Sequence, residues 1–185
     1  MTKLLAFTNC SESKAEAIAS AKRHVELDML RQGTYGDGAG HGCSIGCHYG
    51  GNNHAAAPAK HGLAVPFVYL CDLVFEEQPD IKSAQEFHVW VMENVPEGGD
   101  TMRMWWEFFA LTVEGIDPKW GDFAAECRTD DPDAEKLSAL ARTRTLDLAL
   151  DLARARARAR ARTLNTENFK KTVLKFATPE KSLSL

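Results

Sequence analysis

"DAEKLSALARTRTLDLALDLARARARARARTL", residues 133–164, is the stretch whose reading decides the fold class. Its alternation of apolar and charged positions has the period of a half-buried strand, yet alanine, leucine and arginine are among the strongest helix formers. Read as a helix at about 100° per residue, it places Leu146, Leu150, Ala153, Ala157, Ala161 and Leu164 on one stripe and Leu148, Leu152, Ala155 and Ala159 on a second, nearly opposite. Arg154, Arg158 and Arg162 then form one ridge between the stripes, and Arg156 and Arg160 the other. Two alanine-lined seams allow close approach of a neighbour on each side. One neighbour is expected from the same chain, the other from a second copy or another protein. The arginines are the expected contact residues for that partner or for nucleic acid, against the alternative that they are solvated or paired with the acidic remainder of the chain.

The remainder is acidic. Residues 142–162 hold seven arginines against Asp147 and Asp151, so that this stretch is +5 within a chain of net charge −4.

Upstream of this stretch the pattern is again helical. Ser13 and Glu16 have capping-box spacing ahead of Ala17, Ile18, Ala21 and Val25, and Gly33 is the expected stop. Pro66 suits the first turn of a helix through "FVYLCDLVFEE", which buries Cys71, and Asp80 caps the next, with Ile81, Ala84, His88, Val91 and Val95 at helical intervals. After "PEGGD", Met102, Trp105, Trp106, Phe109 and Val113 are the expected core stripe. The stretch from Gly115 to Asp133, with two prolines, reads as an irregular connection. A short helix with Phe169, Val173 and Phe176 on one face precedes the C-terminal tail. The expectation is an all-α multi-helix bundle: a helical N-terminal domain over 1–115, a linker over 116–133 and a C-terminal helical region over 134–185.

At 185 residues, 44% hydrophobic and 26% charged, the chain is long enough for its own core and has an ordinary globular composition. It lacks an apolar run of membrane-spanning length and a secretory pattern at its start, so a soluble cytoplasmic protein without a membrane partner is expected. Five scattered cysteines, an odd number, read as free thiols rather than a disulfide framework.

Residues 33–54, "GTYGDGAGHGCSIGCHYGGNNH", contain eight of the thirteen glycines and read as loop with at most a short helical turn. Four of the six histidines, His41, His48, His54 and His61, fall in or just after this loop, beside Cys43 and Cys47. That density supports a zinc site from Cys43, Cys47, His54 and His41, since zinc takes about four thiolate or imidazole donors. It also supports a thiol enzyme in which Cys43 is the nucleophile and His54 its base. The structural alternative is that "GCSIGC" is a turn of small residues passing under neighbouring helices, its cysteines buried as small hydrophobes. The glycine spacing does not fit a nucleotide-binding loop. His24 and His88, on helical faces, read as packed or surface residues.

The run from "GTYGDGAGHGCSIGCHYGGNNH" through "HGLAVP" to "ENVPEGGD" resembles a family of small bacterial and phage proteins with a G-C-A-V-G-C-like motif and an alanine-rich C-terminal helix. Cys43, Cys47 and His54 fall on its motif positions. The resemblance implies a mostly helical, phage-related protein and an important loop, and it implies no reaction. Together these features lead to the expectation of a small non-enzymatic binding or regulatory protein acting through protein or nucleic-acid contacts, with a thiol- or zinc-dependent enzyme using Cys43, Cys47 and His54 as the alternative.

Overall fold

The chain is all-α, because its apolar residues recur at helical intervals and its helix ends carry the residues that helix ends require. The computed structural model describes residues 4–37, 39–116, 120–133, 135–137 and 160–177, and no strand occurs among them. Eight α-helices are described: α1 (Lys14–Glu26), α2 (Ser44–Tyr49), α3 (Ala57–His61), α4 (Val65–Glu76), α5 (Ile81–Asn94), α6 (Thr101–Ile116), α7 (Gly121–Cys127) and α8 (Arg160–Ala177), with a 3₁₀ turn at His54–Ala56. No described helix is long and apolar enough to cross a membrane.

Two compact parts can be distinguished, Met1–Met102 with Val173–Leu185, and Arg103–Thr172. In the first, α1 begins with the anticipated capping box: Ser13 accepts from the Glu16 N–H, and the Glu16 carboxylate accepts from the Ser13 N–H. The helix stops at Glu26 rather than near Gly33, and Asp28 turns the chain with φ +51°. Leu30 lies beyond the helix and forms an isolated parallel bridge with Gly42. α4 carries Pro66 in its first turn and buries Phe67, Val68, Leu70, Cys71, Asp72, Val74 and Phe75, so it is apolar over most of its circumference and central to this part. It packs on α5 and α2, while α1 packs on α5. Asp80 caps α5 by accepting from the Ser83 N–H.

In the second part, Ala110, Val113, Trp120, Ala124, Cys127 and Leu137 form the core, with Trp106, Phe109 and Phe123 packed against it. The anticipated stripe of α6 is thus kept at Trp106, Phe109 and Val113 and corrected at its other positions. Met104, Phe108 and Ala110 are buried, whereas Met102 is 40% exposed and Trp105 only half-buried. Buried Glu107 explains part of the shift, because it pairs with Arg128, which also reaches Glu114. The expected irregular connection contains α7, whose last carbonyls are met by the guanidinium of Arg103. In α8 Phe169 is buried and in its last turns Val173 is too, but Phe176 is only partly covered. The long arginine-alanine stretch falls mainly outside the described residues. Arg154, Arg156 and Arg158 are not among them, and Arg160 and Arg162 are described only as backbone of α8.

Candidate metal centre

α2 exists because a glycine lets it approach another backbone. A Cβ on Gly46 would stand 2.0 Å from the carbonyl oxygen of Tyr35, and one on Gly42 would stand 2.7 Å from the same atom. Pressed against the 34–36 backbone in this way, the six-residue helix presents Cys43, its N-cap, to one side and His48 to another. Lys60 holds its C-terminal end by donating to the His48 carbonyl at 2.6 Å.

His48 is the centre of a cluster of buried imidazoles. Its ring lies 4.9 Å from that of His24 on α1, 4.8 Å from that of His88 on α5 and 5.2 Å from that of His61 on α3, centroid to centroid. His24, His48 and His88 each bring a ring nitrogen to the same place, the three atoms lying within 4.8 Å of one another. Neither nitrogen of His48 has a hydrogen-bond partner, and nor do Nδ1 of His24 and Nε2 of His88. A neutral imidazole must bury one donor and one acceptor, and each left unpaired costs about 1–3 kcal/mol. His61 belongs to a different arrangement: its Nδ1 meets the Tyr49 hydroxyl at 2.8 Å and its Nε2 faces Glu12 at 3.4 Å.

Burial holds these rings neutral. Desolvation, aided by the neighbouring histidines, pushes His88 down to about 3 and His48 well below the usual imidazole range. His24 is lowered for the same first reason, with Lys60 adding to it. Neutral imidazole is the form that ligates metals. The donor set also fits: imidazole nitrogen suits zinc, copper, iron and nickel, and ligands at 2.0–2.1 Å around a tetrahedral ion stand about 3.3 Å apart, so the three nitrogens need to close by about 1.5 Å at most. Beside His48 and His88 lies a cavity lined further by Ser44, Tyr49, Leu63, Cys71 and Met92, whose room for the centre of a water molecule is ≈ 20 Å³. That is enough for one water-sized fourth ligand.

The four ligands expected from the sequence do not form one centre. His41 sits on the glycine-rich loop, its Nδ1 2.6 Å from Asp37. Cys47 faces backbone carbonyls, those of Gly42 and Met29 at 3.6 and 3.7 Å. Cys43 and His54 do come to a common place, the carboxylate of Asp72 on α4. His54 Nε2 is 3.4 Å from Asp72 Oδ2, and Cys43 Sγ lies with Asp72 and Glu76 oxygens inside a 4.8 Å group. The surroundings of Cys43 disfavour the activated thiol expected from the sequence. Burial pushes it up to about 12, with the Asp72 charge reinforcing this and the Gly46 and Ile45 N–H groups opposing it. All five cysteines are free.

His24, His88 and Asp72 were the residues missed. The available signal was an ionisable side chain on an apolar helical face: His24 follows Ala17 and Ala21 on the buried side of α1, and His88 follows Ala84 and precedes Val91 on that of α5. Comparison with known proteins finds no matching family model, no similar curated protein and no similar solved structure.

Proposed function

We propose that this chain is a metal-binding protein in which a divalent transition metal of the zinc class, held by His24, His48 and His88, ties together α1, α2 and α5. The observation that carries the reading is the convergence of three buried, neutral imidazoles whose inward nitrogens have no other partner. The ligands come from three separate segments, so binding energy becomes folding energy. Deep burial, with His48 3% and His88 2% exposed, favours a structural or regulatory ion over one that turns over a large substrate. This reading departs from the expected protein or nucleic-acid contacts and takes from the zinc alternative only the metal, moving its ligands from Cys43, Cys47 and His54 to the three histidines.

Calorimetric zinc titration of metal-free full-length protein tests it. A saturable equivalent that survives Cys43→Ser and is lost in His48→Leu, a substitution of similar apolar bulk, supports the centre. Zinc binding that His48→Leu leaves unchanged overturns it.

A further inference from the structure

We infer that Cys43, Asp72 and Glu76, with His54, form a second divalent-cation site of mixed sulfur, oxygen and nitrogen donors, separate from the three-histidine centre. The two sites meet at α2, which Cys43 caps and which carries His48. On α4, Cys71 lines the cavity beside His48 and His88, while its neighbour Asp72 turns to Cys43 and His54.

Three observations point to a cation here. Asp72 is 6% exposed, and its Oδ1 has no hydrogen-bond partner, although Oδ2 accepts from the Tyr35 hydroxyl at 3.1 Å. His54 is 2% exposed, and neither of its nitrogens has a hydrogen-bond partner. The separation of 3.4 Å between His54 Nε2 and Asp72 Oδ2 is long for a charge-assisted hydrogen bond, which runs about 2.7–2.9 Å, and matches the spacing of about 3.3 Å between two ligands of one tetrahedral ion. Cys43 Sγ and oxygens of Asp72 and Glu76 lie within 4.8 Å of one another, Glu76 also accepting from the Gly33 N–H at 2.6 Å, and His54 adjoins this group through Asp72.

The ring of His54 is fixed for this task. Tyr69 stacks on it at 3.8 Å and 9°, and Tyr35 meets it edge-on at 5.7 Å. Both tyrosines reach the surface, Tyr69 being 54% and Tyr35 38% exposed. The site therefore lies one side chain below solvent, and an ion can enter without opening the core. A thiolate with an imidazole and carboxylates selects zinc, cobalt or cadmium over magnesium or calcium, which take oxygen ligands alone. Binding displaces the Cys43 proton to solvent as the metal–sulfur bond forms, so affinity rises with pH.

Cobalt(II) titration of the metal-free full-length protein reads the two sites apart, because only a thiolate ligand gives an intense near-ultraviolet charge-transfer band. The expected result is two equivalents and a thiolate band in the wild type. Cys43→Ser should abolish the band and one equivalent, and His54→Gln should weaken binding at this site at least tenfold, while both keep the equivalent that His48→Leu removes. His48→Leu should keep the band. A wild type without the band, a band that persists in Cys43→Ser, or one lost in Cys71→Ser would overturn the site. Should Cys43→Ser fail to fold, Asp72→Asn replaces it with the same expected losses.

Discussion

The ring of His48, on α2, lies 4.8 Å from that of His88, on α5, and in both rings Nε2 is buried without a hydrogen-bond partner. Two such rings facing each other in an apolar core are unfavourable unless something between them accepts their lone pairs. A metal ion at this point should therefore raise stability markedly. At free zinc a hundredfold above Kd the gain is about 2.7 kcal/mol. Thermal unfolding with and without chelator checks this, and His88→Ala should reduce the difference by the share that the three-histidine centre supplies.

Without metal, the protein should be sensitive to acid. Histidine in an unfolded chain titrates near 6.5, whereas burial pushes His88 down to about 3 and His61 down to about 4, the latter against the pull of Glu12. Between these values the unfolded chain binds more protons, so stability is full above about pH 6.5 and falls as pH is lowered through this window. Each tenfold weakening of proton affinity on folding corresponds to about 1.4 kcal/mol. Urea midpoints of chelated protein from pH 8 to 4 should fall below 6.5 and stay level above it as far as these groups decide, and His61→Phe should flatten the lower part.

Thiol labelling separates burial from activation. Cys43 is 1% exposed and pushed up to about 12, and Cys71 is also buried and raised, so iodoacetamide at pH 8 should reach half-covered Cys10 and Cys47 first. Peptide mass spectrometry should find Cys43 labelled only after unfolding. Rapid labelling of Cys43 in the folded state would restore the activated nucleophile.

Gly46→Ala should be strongly destabilising. The added methyl would lie 2.0 Å from the Tyr35 carbonyl oxygen, so α2 or the 34–36 backbone must move, at about 1–3 kcal/mol by analogy with overpacked cores. The displacement carries Cys43 and His48 with it. Metal affinity should therefore fall along with the denaturation midpoint. Gly50, with open space around its Cβ position but φ +74°, should cost about 1–2 kcal/mol on the same change, without the loss of metal affinity.

The fold was legible where local chemistry acts alone. Ser13 with Glu16, Pro66, and Asp80 each marked a helix start that the structure keeps. The face of α6 was not legible, because buried Glu107 is compensated by Arg128, which lies outside that helix. The same principle limited the site. The loop drew attention by its density of cysteine and histidine, and Cys43, His48 and His54 are indeed its buried members. Their partners, His24, Asp72 and His88, come from α1, α4 and α5, and only the packing of those helices against α2 reveals which residue completes which set. Cys47 and His41 illustrate the converse, since closeness in sequence placed them with carbonyls and with Asp37 instead.

The most direct measurement is the anomalous scattering of crystals of the full-length protein grown with zinc, recorded on both sides of the zinc absorption edge. The account requires an anomalous peak among the imidazoles of His24, His48 and His88, at about 2.0–2.1 Å from one nitrogen of each. A zinc-saturated crystal with no peak at that point, the three rings instead bridged by ordered water, would contradict it.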